Sequence, residues 1–223
     1  MIKIVSAEKH ARKYRDECKK LIPIANFGDA GDISSQMLDS FETAVESDRE
    51  QLIHEAFEAH PYALQYAIDQ SGHHGTWLIS KQMIRTSIKG QSSGLIPDFL
   101  AFTRSSLGLF AWVVELKRPS MNFCKINGTP SANGSNALTQ LNNYSDHIAN
   151  FIETVRSNSG LENLRAPIGK LLLMGRSSSE TVAQTHGRRL FNKPFEQQIV
   201  SYDRIIHGIS FDLQSRLNWT DRT

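Results

Sequence analysis

The sequence predicts an α/β fold in which a mixed central β-sheet of about five strands is flanked by helices. Two short apolar segments, 98–103 and 109–117, are separated by a tight turn, and a third apolar segment covers 168–174. Segments with the apolar spacing of helices precede and follow them. This alternation of helices and strands is typical of a domain whose sheet is covered by helices.

The first 47 residues differ from the rest of the chain. Residues 8–20 are charged and predict a helix, and the turn-rich segment 26–32 predicts a linker. We therefore expect two units: an N-terminal helical segment with its linker at 1–47, and the main domain at 48–223.

The main domain is predicted to begin with a helix from Asp48. Apolar residues recur there at helical spacing, and His60–Pro61 ends or kinks the helix. Residues 72–75 predict a turn, and residues 77–88 predict a strand.

The next two strands form a predicted hairpin. The first, 98–103, follows Pro97, and the second, 109–117, contains a continuous apolar run that predicts burial on both faces. The short segment 105–108 between them favours a tight connection.

The second half of the chain alternates helices and strands. Residues 120–136 are rich in Gly, Asn, Ser and Pro and predict a long loop. The remaining patterns predict, in chain order, a helix at 137–156, a strand at 168–174, a helix at 181–191, a strand at 197–201 and a helix at 202–217.

Composition argues against several classes of protein. No apolar run approaches the roughly 20 residues that span a bilayer, and the start of the chain lacks the apolar stretch of a signal peptide. We therefore expect a soluble, cytoplasmic protein with no membrane partner. The two cysteines, Cys18 and Cys124, lack neighbouring ligands for zinc. The chain also lacks a phosphate-binding P-loop and the Gly-x-Ser-x-Gly motif of serine hydrolases.

Asp98, Glu115 and Lys117 form the constellation that could carry chemistry. Hydrolysis of a phosphodiester needs carboxylates that converge on a hard divalent ion, and a nearby lysine can orient or deprotonate the attacking water. Because strand side chains alternate, Glu115 and Lys117 point to one face, and Asp98 can face Glu115 across the hairpin. Leu116 between them points into the core and can leave its backbone carbonyl free for the metal.

The motif is weak on spacing alone. Composition predicts about one acid-x-Lys triplet by chance, and the chain has two, Glu17–Lys19 and Glu115–Lys117. Only the second ends a buried apolar strand behind a strand that opens with Pro-Asp. The alternative, a solvated strand end and a turn residue, stays open, although two acids and a base on an inner sheet are costly without a purpose.

Several motifs together resemble the nuclease domain of the Shedu bacterial anti-phage defence proteins, which belong to the PD-(D/E)xK superfamily. The similarity covers about 48–206, and its order and rough spacing hold throughout. The segments that carry it are the helix led by Glu50 and ended by His60–Pro61, Ile96–Leu100, Trp112–Pro119, Ala137–Tyr144, Leu171–Arg176 and Ser201–Ile206.

The resemblance implies a restriction-endonuclease-like fold and a role for each matching residue. It implies Asp98 and Glu115 as metal ligands and Lys117 as the catalytic lysine. Gln140 matches a helical glutamine that supports the site or the phosphate. Glu50 matches the leading helix acid, a possible further ligand, although a solvated helix acid is an alternative.

Tyr144 lies one turn after Gln140 on the same face of the predicted helix. It could belong to the site or be a packed core tyrosine.

Net charge is uninformative about a nucleic-acid partner, since 25 Lys and Arg oppose 23 Asp and Glu. Basic side chains near the predicted strand ends could still hold phosphates without reading sequence, although a solvated basic face is an equal alternative. These candidates are Lys81, Arg85, Lys89, Arg118, Arg176, Arg188, Arg189 and Lys193.

These observations lead to one main hypothesis and one alternative. The main hypothesis is a Mg²⁺-dependent DNA endonuclease, with Mn²⁺ as a substitute, that cuts phage or plasmid DNA in bacterial defence. We expect a homo-oligomer by analogy, because cutting two strands often uses two active sites. The alternative is a catalytically silent nucleic-acid-binding or assembly domain on the same fold.

Overall fold

The computed structural model describes residues 2–68, 74–81 and 95–220. In these residues seven α-helices surround one six-stranded sheet. The helices are α1 Ile2–Lys19, α2 Ser35–Glu46, α3 Glu50–Ala59, α4 Ala132–Asn150, α5 Ile152–Ser159, α6 Val182–Leu190 and α7 Tyr202–Thr220. The strands are β1 Asn26–Gly28, β2 Thr76–Ser80, β3 Phe99–Ser105, β4 Gly108–Leu116, β5 Ile168–Leu173 and β6 Gln197–Val200.

The sheet is mixed, and its strands follow chain order from β1 to β6. Strands β1 to β4 pair antiparallel, whereas β4, β5 and β6 run parallel. The predicted α/β class with a mixed sheet flanked by helices is confirmed, and the architecture is consistent with a restriction-endonuclease-like fold. Parallel strands end at one edge of the sheet, so the residues that follow β4, β5 and β6 share that edge.

The prediction of a linker at 26–32 is wrong. Asn26–Gly28 is the first strand of the sheet, and the ring of Phe27 packs on Trp77 with centroids 4.9 Å apart. A 3₁₀ helix follows at Ala30–Asp32, capped by the side chain of Asp29. Aromatic packing thus outweighs the local turn signal. The division of the chain into two domains at residue 48 stays a prediction. Strand β1 belongs to the same sheet as the strands after residue 48, but this does not show whether either segment folds on its own.

Helix α2 lies in a segment for which no helix was predicted. Ser34 caps it by accepting a hydrogen bond from the Met37 amide, and its apolar face buries Met37, Phe41, Ala44 and Val45. These positions have the spacing of an amphipathic helix, so the signal was present in the sequence.

The sheet is covered on both faces. One face packs against α2, α3 and α7, and we call this side the α3 face. The other packs against α1, α4 and α5, and we call it the α4 face. Along β4, Trp112, Val114 and Leu116 belong to the α3 face, and Ala111 and Val113 to the α4 face. Burial of this strand on both faces is therefore confirmed.

The β3–β4 hairpin has a two-residue connection, Ser106–Leu107, between the paired residues Ser105 and Gly108. Gly108 has φ +109°, a conformation that a residue with a Cβ rarely adopts. The hairpin is confirmed, with its strands shifted by one or two residues from the predicted bounds. Asp98 consequently lies just before β3 and Lys117 just after β4.

The strand predicted at 77–88 ends earlier than predicted. β2 ends at Ser80, and Lys81 adopts a left-handed turn conformation with φ +45°. Residues 82–88, including Arg85, lie outside the described residues.

The second half of the chain follows the predicted order of elements. The long loop is shorter than predicted, because α4 begins at Ala132 with Ser131 as its cap. The predicted helix 137–156 is divided into α4 and α5, whereas the two strands and two helices beyond residue 167 are confirmed. In the described part of the chain, no helix is both long enough and apolar enough to cross a bilayer.

Candidate active site

Asp98 and Glu115 face each other at the end of the hairpin. Phe99 pairs with Val114, so the antiparallel register continued by one residue sets Asp98 opposite Glu115. Asp98 is fixed there because its Oδ2 accepts a hydrogen bond of 2.7 Å from the backbone amide of Leu116. One carboxylate is thereby tied to the backbone of the strand that carries the other.

Glu115 is a buried carboxylate on the α4 face. It lies two residues after Val113 and shares its side of the strand, and only 5% of the residue is exposed. Lys117 Nζ donates to its Oε1 at 2.6 Å, with 20% of the lysine side chain exposed. Asp98, Glu115 and Lys117, predicted to converge, are therefore brought together.

The surroundings of Glu115 disfavour its charged form. Burial and, next, the negative charge of Asp98 raise its pKa to about 7, although the ion pair with Lys117 acts in the opposite direction. Glu50 contributes a smaller repulsion. A cation held between the two carboxylates would relieve both the burial cost and the repulsion.

Leu116 presents its backbone to Asp98. Its side chain lies on the α3 face, and its amide points towards Asp98. Because the N–H and C=O of one strand residue point to the same side, the Leu116 carbonyl is also directed towards the β3 side. This orientation agrees with the predicted use of that carbonyl as a ligand.

Glu50 reaches this edge from the α3 face. It is the first residue of α3 and is half-buried. The start of the helix is held by Asp48, whose carboxylate accepts hydrogen bonds from the Ser120 amide at 2.7 Å and hydroxyl at 2.6 Å. Glu50 is close enough for its charge to act on Glu115, but within the described part of the chain no hydrogen bond joins it to the two carboxylates.

Helix α4 brings Tyr144 to the site. The residue is 8% exposed, and its hydroxyl donates to the carbonyl of Ile96 at 3.2 Å. Burial, together with the charges of Glu115 and Asp98, raises the pKa of Tyr144 to about 12. Tyr144 is thus both a core residue and a neighbour of the carboxylates.

Gln140, one turn earlier on α4, is exposed. Within the described contacts, nothing ties its side chain to the carboxylates, so its predicted role in the site stays a prediction.

Two supporting residues were missed by sequence reasoning. His54 is buried and stacks on Phe99 with centroids 4.3 Å apart, and its Nε2 lies 3.3 Å from the Asp98 carbonyl oxygen and 3.2 Å from Ser80 Oγ. Tyr202 is fully buried, and its hydroxyl donates to the carbonyls of Lys117 at 2.7 Å and Leu173 at 3.2 Å. A histidine on the apolar face of a helix was the available signal for His54, whereas the role of Tyr202 depends on tertiary contacts.

The predicted phosphate-binding residues differ in their surroundings. Arg118 is exposed beside the site, and the Lys81 amide donates to the Asp98 carbonyl at 3.0 Å. Arg176 forms an ion pair with buried Asp203 at 2.9 Å, and Arg188 pairs with Glu180, whose side chain is fully buried. Arg176 and Arg188 therefore already have structural partners. Arg85 and Lys89 lie outside the described residues.

The donor set is sparse for a metal. Among residues 2–68, 74–81 and 95–220, no three or more His, Cys, Asp and Glu side chains are placed to hold one. Mg²⁺ is commonly bound by one or two carboxylates while waters and substrate phosphates complete its octahedron. Asp98, Glu115 and the Leu116 carbonyl fit that kind of site and do not fit a cage made only of side chains.

Comparison with known proteins identifies the family. No curated protein matches the chain. The family described as the C-terminal part of the Shedu protein SduA matches residues 47–206, which span the sheet from β2 to β6 and every residue of the candidate site. The chain therefore belongs to the Shedu family, which associates it with anti-phage defence.

Proposed function

We propose that this chain is a metal-dependent endonuclease that cuts DNA as part of anti-phage defence. The observation that carries the proposal is the buried carboxylate of Glu115, set opposite Asp98 and in contact with Lys117 Nζ at 2.6 Å. Burying two like charges is costly, and a fold retains such a group most readily when it binds something positive.

Three groups of this chain would hold the ion. They are Glu115, the Asp98 oxygen that does not accept from Leu116, and the Leu116 carbonyl. A bound Mg²⁺ or Mn²⁺ supplies a Lewis acid that polarises a phosphoryl oxygen and lowers the pKa of a bound water. His54 and the Lys81 amide fix the Asp98 carbonyl, and Tyr202 fixes the Lys117 carbonyl, so the backbone that carries these groups is braced on both strands.

Lys117 is the residue that handles the attacking water. Its ammonium group donates to Glu115 and keeps the partial exposure needed to meet substrate. In a partly buried site its charge acts through a lower effective dielectric than in water, which strengthens its stabilisation of the negative charge that builds up on the phosphorus centre.

The substrate would be recognised through its backbone. Arg118 and Lys81 lie beside the site, and contacts of this kind are made to phosphates and carry no sequence information. We therefore expect cleavage of phage or plasmid DNA with weak sequence preference. A homo-oligomer would place two such sites on one duplex.

Cleavage of supercoiled plasmid and of linear DNA tests the proposal. The protein should nick or cut in Mg²⁺ or Mn²⁺, and chelation with EDTA should stop it. Lys117→Ala should abolish cleavage, whereas Lys125→Ala, which removes an exposed lysine from the loop before α4, should leave it unchanged. DNA that is bound but never cut under any metal condition would favour the alternative, a catalytically silent binding domain.

A further inference from the structure

Arg176 lies just beyond the end of β5, at the edge of the sheet that carries the candidate active site. Strands β4 and β5 are parallel, with Leu116 paired to Leu173, and the Lys117 amide donates to the Leu173 carbonyl at 2.9 Å. Lys117 thus binds the last residue of β5, and Arg176 follows that residue by three positions.

Buried Asp203 holds the side chain of Arg176. Its Oδ1 accepts from Arg176 Nε at 2.9 Å, and its Oδ2 accepts from the Ser178 amide at 2.8 Å and the Ser177 hydroxyl at 3.2 Å. Burial acts to raise the pKa of Asp203, but the hydrogen bonds from Ser178 and the ion pair with Arg176 outweigh it and lower the pKa. The carboxylate therefore stays charged and continues to hold Arg176 at neutral pH.

The same helix end holds Arg176 and Lys117. Tyr202, the first residue of α7, donates its hydroxyl to the Lys117 carbonyl at 2.7 Å and its amide to the Gly175 carbonyl at 3.1 Å. Asp203 is the next residue of that helix. Two consecutive residues of α7 therefore fix the backbone of Lys117 and the guanidinium of Arg176 relative to each other.

The ion pair with Asp203 uses one of the three guanidinium nitrogens of Arg176. Within residues 2–68, 74–81 and 95–220, NH1 and NH2 form no hydrogen bond, and 38% of the side chain is exposed. A guanidinium can bind two oxygens of one phosphate through two parallel N–H···O bonds. The NH1 and NH2 groups of Arg176 are available for such a contact.

Arg188 shows the opposite arrangement. Its Nε and NH2 donate to the fully buried carboxylate of Glu180 at 2.9 and 2.7 Å, and its NH1 donates to the Ile199 carbonyl at 3.3 Å. All three nitrogens have partners, and only 13% of the side chain is exposed. Arg188 is therefore a structural residue, whereas Arg176 is held at one nitrogen and keeps the other two for a ligand.

We propose that Arg176 binds a backbone phosphate of the DNA through NH1 and NH2, and that Asp203 is the positioning residue for this contact. The inference rests on the proposed function. Because Asp203 already restricts the rotamers of Arg176, binding costs less side-chain entropy than it would for an unrestrained surface arginine. The contact reads no base and fixes the DNA backbone relative to Lys117.

DNA binding without cleavage tests the contact. Lys117→Ala protein in EDTA is titrated with a labelled duplex at several salt concentrations, with and without Arg176→Gln. Loss of the contact should weaken binding about tenfold and lower the slope of log K against log salt by about one.

Arg176→Lys separates the phosphate contact from a structural role. A lysine can restore the ion pair with Asp203, so the melting temperature should return towards that of the arginine protein. Its single ammonium group lacks the two parallel donors, so little of the DNA affinity should return.

Two substitutions serve as controls. Arg188→Gln removes an arginine that is also paired with a buried carboxylate, and Arg165→Gln removes an exposed arginine that precedes β5, at the opposite end of that strand from Arg176. Both should change affinity and salt slope less than Arg176→Gln does. Arg165→Gln alone decides the comparison if the Arg188 variant does not fold.

Asp203→Asn tests the positioning role. It should weaken DNA binding when Arg176 is present and have no further effect in Arg176→Gln protein, as expected for two changes that act through one contact. An equal loss of affinity in both proteins would show that Asp203 acts only on the fold.

Several outcomes would overturn the inference. It is wrong if Arg176→Gln changes affinity and salt slope no more than Arg165→Gln does, or if Arg176→Lys restores the affinity together with the melting temperature. Cleavage of DNA by a protein whose affinity ignores Arg176 would reject the contact and retain the nuclease. An affinity that depends on Arg176 as expected, in a protein that never cuts DNA, would retain the contact and reject the nuclease.

Discussion

Asp98 and Glu115 face each other across the end of the β3–β4 hairpin, and the charge of Asp98 acts together with burial to raise the pKa of Glu115 to about 7. The same Asp98 accepts from the Leu116 amide at 2.7 Å, so it cannot move away without breaking the hairpin end. The backbone structure therefore keeps the two carboxylates, which repel each other, close together. Lys117 offsets part of it, and a divalent cation would offset the rest.

Glu115→Gln should stabilise the metal-free protein at pH 8. The pKa of Glu115 is about 7 in the folded protein against an ordinary value of 4.5, so the folded state gains stability below pH 4.5 and loses it as the pH rises through 7. A displacement of this size corresponds to on the order of 3 kcal/mol in the free energy of unfolding.

Urea unfolding in EDTA at pH 5 and pH 8 measures the effect. The advantage of the variant should be large at pH 8 and shrink at pH 5, while the exposed substitution Glu162→Gln should show no such trend. Wild-type protein that gains stability over the variant between pH 5 and pH 8 would contradict the prediction.

Lys117→Met should separate metal binding from catalysis. The substitution keeps the apolar stem and removes the ammonium group, so the carboxylates can still bind Mn²⁺ while the attacking water and the developing charge lose their partner. We expect a fall in the cleavage rate of at least about a hundredfold. Single-turnover cleavage beside a Mn²⁺ titration measures both, and a variant that retains wild-type rate would remove Lys117 from the mechanism.

Tyr202→Phe should lower stability and slow cleavage together. It leaves the Lys117 carbonyl without its buried donor, a loss of about 1–3 kcal/mol, and frees the backbone that carries Lys117. The Leu173 carbonyl loses the same hydroxyl but still accepts from the Lys117 amide at 2.9 Å. Urea unfolding and cleavage rates check it. Tyr66→Phe is the matched control, because it also removes a hydroxyl that donates, here to Asp212 at 2.7 Å, and it should leave cleavage unchanged.

His54→Ala should weaken metal binding without removing a ligand. The imidazole braces the Asp98 carbonyl and packs on Phe99, and loss of a group that orients a ligand typically reduces metal affinity by 10- to 100-fold. His54→Gln retains an N–H donor and should recover part of the affinity. Equal Mn²⁺ affinity in wild-type, Ala and Gln proteins would show that His54 is only a core residue.

The hairpin was predictable because its signals are local. The continuous run of apolar residues predicted strand β4. The alternation of side chains along a strand predicted that Glu115 and Lys117 lie on one face. Strand β1 was missed because Asn26, Gly28 and the following Asp29 are typical turn residues, whereas packing of Phe27 against Trp77 decides its structure. Local pattern carries no information about such a contact.

The supporting residues were less predictable than the carboxylates. Tyr202 is 85 residues from Lys117 in sequence, and His54 is 44 residues from Asp98, so only the folded chain brings them together. Gln140 shows the converse. The resemblance assigned Gln140 to the site, yet its side chain is exposed. A role in the site would therefore require Gln140 to contact the bound substrate.

Calorimetric titration with Mn²⁺ tests the central claim most directly, because the claim is that Asp98 and Glu115 together hold one divalent ion. Wild-type protein should bind one ion per chain, and Asp98→Asn and Glu115→Gln should each abolish that binding while the fold stays intact by circular dichroism. Wild-type protein that binds no ion, or variants that bind it as tightly as wild type, would contradict the account.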